Sequence, residues 1–148
     1  MLKKGLRDLL LADTDISTLV GPVVRIGRLP EGTSYPAIVF HVIHPEYSVG
    51  LQGVNATQAR MVQFDCWAKS PKGVDDLAQA LHNLLNNYRG VLSEGTTILS
   101  STPCGDVDSE DEQLKLSGIQ VDFKFWFTPG EFIAGVEVIE DGIYWQEF

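Results

Sequence analysis

The chain has 148 residues, 44% of them hydrophobic and 21% charged, with a formal net charge of −9. That length fits a single domain with a real core, and the composition is that of an ordinary globular protein. The acidic balance excludes a nucleic-acid binder held by phosphate neutralisation, which needs a clustered basic patch, and no apolar run approaches the length of a membrane span.

Leu2 to Asp13 reads as a first helix. Leu2, Leu6, Leu9 and Leu10 form its apolar stripe, with Lys3, Lys4, Arg7 and Asp8 outside it. Gly5 weakens it by up to about 1 kcal/mol relative to alanine. Arg7 and Asp8 interrupt Leu6 to Ala12, so no signal peptide is expected, and the product should stay in the cytoplasm or in an assembly built there. Asp15 or Ser17 can cap a short second turn, Ile16 to Val20, which Gly21-Pro22 stops. Val23 to Arg28 is a short strand. Leu29 to Tyr35, with Pro30, Gly32 and a tyrosine before proline, is a loop.

Ala37 to Ile43 is a strand with Ile38, Phe40 and Val42 against Val39, His41 and Ile43. Both faces are largely apolar, which suits a central position. Pro45 to Thr57 carries Gly50 and Gly53 and lacks a steady pattern, so it reads as a long excursion between strands. Arg60 to Ala68 alternates cleanly: Val62, Phe64, Cys66 and Ala68 face a core, with Met61, Gln63, Asp65 and Trp67 opposite. Lys69 to Lys72 is a turn, with Ser70 as N-cap and Pro71 at the first helical position. Val74, Leu77, Ala78, Leu81, Leu84, Leu85 and Tyr88 mark a helix from Val74 to Tyr88, stopped at Arg89-Gly90.

Thr96 to Ser101 is a further strand, and Gly105 to Gln113 an acidic loop. Leu116 to Thr128 is a strand with Ile119, Val121, Phe123, Phe125 and Phe127 on one face. Beyond Pro129-Gly130, Val136 to Glu140 and Ile143 to Gln146 flank Asp141-Gly142 as a hairpin, which must dock because isolated hairpins are marginal in water. The fold class is α+β: a mainly antiparallel sheet of about four to five strands with two helices packed on it. This domain spans residues 1–128, with a C-terminal β-hairpin extension at 129–148.

The chemistry-bearing residues do not form a recognisable site. Cys66 reads as a small buried hydrophobe, and two cysteines are too few for a disulfide framework. His41 and His44 are three apart on a strand and face opposite sides. The stretch from Asp106 begins like a calcium loop, but Asp111 stands where glycine is needed and Ser117 where glutamate is needed. Neither Gly50/Gly53 nor Gly27/Gly32 sits in a phosphate-cradling frame, and no serine sits in a nucleophile elbow. Asp65 and Asp122 lie on polar strand faces that can be neighbours; they could do acid–base work or pair with Lys124 or Arg60. Charge is uneven. Lys3, Lys4, Arg7, Arg25 and Arg28 come early, and the acids cluster late, which suits either head-to-tail contacts between copies or a solvated acidic surface.

The order of several fragments is more specific. Leu-Arg-Asp-Leu-Leu-Leu-Ala-Asp at 6–13 is followed by Leu-Val-Gly at 19–21, Arg-Ile-Gly-Arg-Leu-Pro-Glu-Gly at 25–32 and Tyr-Pro-Ala-Ile-Val-Phe at 35–40. Gln-Phe-Asp-Cys-Trp-Ala at 63–68, Asp-Asp-Leu-Ala-Gln-Ala-Leu at 75–81 and Val-Asp-Phe-Lys-Phe-Trp-Phe at 121–127 complete the series. From about Leu6 to Phe127 the chain resembles the tail-completion (tail-terminator, head–tail joining) family of long-tailed bacteriophages and related prophages.

The resemblance implies a virion protein of the tail or neck, assembled in the host cytoplasm, with no enzymatic activity, no cofactor and no membrane. It implies a ring, typically hexameric, that ends the tail tube and meets the head. The implied partners are other copies of the chain, the tail tube protein and the head–tail connector or stopper protein, with genomic DNA passing through the bore without specific binding. The alternatives are another neck-ring protein, such as a head-completion or stopper subunit, or a small-molecule-binding or hydrolytic domain using His41, Asp65 and Asp122.

Candidate interface residues are Trp67, Trp126, Tyr47, Leu51, Tyr144, Trp145 and Phe148. Trp67 and Trp126 could instead belong to a second core, with helix 1 lying on the second sheet face. Asp106, Asp108, Glu110, Asp111 and Glu112 are candidates for an acidic loop lining the lumen, where carboxylates would repel passing phosphates.

Overall fold

Serine and aspartate start the helices by the same device. The Ser70 hydroxyl accepts the Gly73 N–H at 3.0 Å, with Pro71 opening α3 (Pro71–Leu85). The Asp13 carboxylate accepts the Ile16 N–H at 3.0 Å and opens α2 (Thr14–Val20), so the cap is neither Asp15 nor Ser17. α1 (Leu2–Ala12) precedes it. α3 stops before the expected glycine. Its cap is Asn86, and Asn87 takes a left-handed backbone (φ 59°), which asparagine tolerates better than most residues.

The computed structural model describes residues 2–21, 23–30, 32–50, 53–128, 132–133 and 136–137, with backbone only at 44–50, 53–56, 132–133 and 136–137. The strands are β1 (Val24–Ile26), β2 (Ala37–Gly50), β3 (Gly53–Ala68), β4 (Gly90–Val91), β5 (Thr97–Asp111) and β6 (Leu116–Thr128). They form one six-stranded sheet in the order β1-β2-β3-β6-β5-β4. β1 runs parallel to β2, and every other pair is antiparallel. The α+β architecture matches the sequence reading. The additional strand is the two-residue β4, and the additional helix is α2, expected as a short turn.

Two segments read as loops are strand. Pro45 to Thr57 is not an irregular excursion: β2 and β3 continue pairing to Gly50 opposite Gly53. Register shifts between Val42 and His44 and between Tyr47 and Val49 break the alternation in sequence without breaking the ladder. The acidic loop is likewise the second half of β5, paired with β6 as far as Asp111 opposite Leu116. A register shift between Pro103 and Gly105 separates it from the first half, and because both its faces are exposed no apolar alternation marks the strand. The expected hairpin at Val136–Gln146 lies outside the described residues except for Val136 and Glu137, which as β8 pair with β7 (Phe132–Ile133).

The three helices of the described residues share one core with one face of the sheet. Leu6 and Leu10 of α1, Ile16 of α2, and Leu77, Leu81 and Leu85 of α3 are buried with Ile38, Phe40, Val62, Phe64, Phe123 and Phe125. Phe64 is the hub: its ring centroid lies 5.4 Å from Phe40, 6.0 Å from Phe123 and 6.4 Å from Phe125. Cys66 is fully buried beside it, and burial pushes its thiol well above the ordinary range.

α1 touches both ends of the strand order. The Arg7 Nε donates to the Val24 carbonyl of β1 at 3.0 Å, and the Ser93 hydroxyl, between β4 and β5, donates to Asp8 at 2.7 Å. Gly5 makes this approach possible. A Cβ there would lie 2.8 Å from Leu92 and collide with the Glu94 carboxylate. Helix propensity alone predicts that Gly5→Ala gains about 1 kcal/mol. Overpacking instead predicts a loss of about 1–3 kcal/mol, read as a lower urea midpoint at unchanged slope.

Candidate assembly face

Alternation on β3 and β6 puts Met61, Gln63, Asp65 and Trp67 beside Gln120, Asp122, Lys124 and Trp126 on the face away from the helices. Among the described residues no helix covers this face. The possibility of a second core under helix 1 is therefore overturned, because α1 packs on the Phe64 side.

The two tryptophans sit at opposite ends of the open face. Trp67 is half-buried, with its ring closing over Gly118 of the adjacent strand, where a Cβ would come within 2.7 Å of it. It lines a shallow cleft of about 220 Å³ with Leu29, Tyr35, Val39, Asp111, Leu114 and Leu116. Trp126 is 38% exposed, with the Lys124 ammonium 5.1 Å from its ring centroid.

Between them runs a polar band. His41 Nε2 lies 3.2 Å from Asp65, whose other oxygen accepts from Gln63 at 3.1 Å. Asp65 therefore pairs with His41, rather than with Lys124 or Arg60. Arg60 projects to the other face, 5.8 Å from the Phe127 ring centroid. Asp122 stands opposite Gln63, with one carboxylate oxygen buried and without a hydrogen bond. Burial, and then the charges of Asp65 and Asp106, raise its pKa above the usual carboxylate value. His41, Asp65 and Asp122 thus share a face, but they line neither the Trp67 cleft nor the second cleft beside Val23 and Arg25. Among the described residues no group of three or more histidine, cysteine or acidic side chains could hold a metal ion.

The late acids divide across β5. Asp106, Asp108 and Glu110 stand opposite Val121, Ile119 and Ser117 on the helix side, and Asp111 stands opposite Leu116 on the open side. Glu112 is exposed in the following turn. Tyr47 lies on β2 opposite Gln58. Leu51, Tyr144, Trp145 and Phe148 lie outside the described residues.

One contact had no signal in the sequence. His82 on α3 packs against Phe123, with centroids 5.4 Å apart, and its Nε2 reaches both oxygens of Asp106 at 3.0 and 2.9 Å. Its Nδ1 lies 3.0 Å from the Asn86 side-chain oxygen. Acceptors at both ring nitrogens favour the imidazolium. The pair ties α3 to β5 across 24 residues of sequence, a separation that no local pattern encodes.

The comparisons with known proteins place this layout. A chain of the structure described as "Virion of native gene transfer agent (GTA) particle" superimposes with a TM-score of 0.72 at 15% identity, covering 86% of this chain and 95% of that one. That likeness defines the fold. The family model described as "Tail completion protein gp17" matches residues 4–128, and the chain belongs to this family. It is a structural protein of the phage tail and a virion component. Among curated proteins none matches in sequence.

The His82 contact predicts a pH dependence. Burial disfavours the charged ring, but the hydrogen bonds to Asn86 and Asp106 and the Asp106 charge outweigh it and raise the pKa. A raised folded-state pKa gives stability that is complete below the unfolded value, about 6.5, and lost as pH rises through the folded value. The wild-type urea midpoint should fall across that window, and Asp106→Asn should flatten the dependence. An unchanged slope in the variant removes the assignment.

Proposed function

We propose that this chain closes into a ring, hexameric by resemblance to its relatives, that ends the tail tube and joins it to the head–tail connector or stopper protein. The observation that carries this reading is the family match over residues 4–128. The structure is suited to it: a one-sided core leaves a sheet face with Trp67 and Trp126 and a projecting hairpin for contacts with other subunits. Ring subunits meet through two different surfaces, and a chain with basic residues early and acidic residues late supplies surfaces of opposite sign. The family's name defines the role as structural, so the useful work is surface recognition.

In this reading residues 1–128 form the ring domain, and residues 129–148, with Tyr144, Trp145 and Phe148, reach a neighbouring subunit. Mass photometry of the purified protein should show a discrete oligomer at micromolar concentration, and truncation after Pro129 should weaken it. A protein that stays monomeric at every concentration, with and without tail tubes, overturns the ring.

The end of β5 that carries Asp106, Asp108, Glu110 and Asp111, with Glu112 in the following turn, is proposed to border the bore, where the carboxylates repel the phosphates of passing DNA. Replacing Asp108, Glu110 and Glu112 with lysine in the virion, with Asp106 kept for its contact with His82, should slow DNA ejection from the particles that assemble. Unchanged ejection kinetics place these acids elsewhere.

A further inference from the structure

The β2–β3 hairpin outruns the sheet. Among the described residues β6 accompanies β3 only to Phe127 opposite Gln58, whereas β2 and β3 continue to Gly50 opposite Gly53. β1 pairs with β2 only at Ile38–Phe40. From Gln58 to Gly53 the ribbon therefore extends roughly 17 Å beyond the third strand, at about 3.4 Å per residue. A two-stranded ribbon is marginal in water, and it is stabilised by another strand.

β5 has an edge that needs the same thing. Its start is covered by β4 at Thr97 and Ile98, and the Asn87 N–H donates to the Ser101 carbonyl at 3.0 Å. From Thr102 to Asp111 no strand pairs with the outer edge among the described residues, and Thr102 to Glu110 are exposed. β6 holds Gly105 to Asp111 in unbroken antiparallel register, so every second residue of this stretch turns its backbone N–H and C=O to the outer edge. Long regular edges are ready-made pairing templates.

Charge selects the occupant. Asp106, Asp108, Glu110 and Asp111 repel a second β5, which disfavours edge-to-edge pairing of identical strands. The C-terminal stretch, with Glu137, Glu140, Asp141 and Glu147, meets the same repulsion. The hairpin sequence from Ser48 to Thr57 carries no charged residue. Within one subunit the two cannot meet: the hairpin leaves the sheet at the Phe127 end, and the free edge runs to the Leu116 end.

We infer that the β2–β3 hairpin of one copy adds as a strand to the Thr102–Asp111 edge of the next, a head-to-tail β-augmentation repeated around the ring. The inference rests on the ring reading and names its joint.

Native Cys104 is exposed on this edge, and Cys66 is buried, so cross-linking tests the joint directly. Single variants Val54→Cys, Asn55→Cys and Ala56→Cys, treated with a short bis-maleimide, should give a ladder of linked dimers and higher species, and adding Cys104→Ser should abolish it. Mass photometry of the same samples reports the assembly independently. Oligomers that form without cross-links in all three variants, or with cross-links that survive Cys104→Ser, overturn the hairpin-to-edge joint and leave the ring standing. A chain that is monomeric throughout overturns both.

Discussion

The packing of Phe64 against Phe40, Phe123 and Phe125 is the constraint on which the rest depends. These rings come from three adjacent strands and bury one face of the sheet under α1, α2 and α3. Each buried large apolar side chain contributes about 1.5–3 kcal/mol relative to exposure. A one-residue slip of β3 or β6 would turn the aromatic residues outward, so the core also fixes the register. The same register places Gln63 opposite Asp122 and Trp67 opposite Gly118.

A one-sided core leaves the rest of the sheet available for contacts. The open face carries two tryptophans separated by a polar band, and the strand order leaves most of β5 as an edge. α1 braces the turn between β4 and β5 through Ser93 and Leu92, and His82 ties the middle of β5 to α3 through Asp106. Among the described residues the edge is thus tethered from inside and has no strand partner outside. Together with a hairpin that outgrows its neighbours, this geometry suits a subunit of a larger assembly, in agreement with membership of a phage tail completion family.

Charge acts on two scales here. Over the whole chain, 20 acidic against 11 basic side chains keep copies from associating indiscriminately. Along β5, alternation sends Asp106, Asp108 and Glu110 to one side and Asp111 to the other. The acids therefore flank the edge without blocking its backbone. Asp122 is the exception to this solvated arrangement: its carboxyl is partly buried beside Asp65, and its pKa is raised as a result.

The sequence by itself determined the elements with a clean period: β3 from Arg60 to Ala68, β6, the Ser70-Pro71 start of α3, and the leucine stripe of α1. Each is encoded by neighbours within a turn or a strand, so local physics suffices. The ordered fragments from Leu6 to Phe127 also carried the family. Tertiary structure decided what local pattern cannot express. Bulges at Val42/His44 and Tyr47/Val49 erased the alternation of the hairpin, and exposure of both faces left the second half of β5 with no apolar alternation, although partner strands hold both extended. The tight fit of Gly5 on Leu92, the imidazole–carboxylate contact of His82 with Asp106, and the side of the sheet on which α1 lies all join residues far apart in the chain. Such contacts follow from how the sheet curls around its core, and that geometry belongs to the assembled elements together.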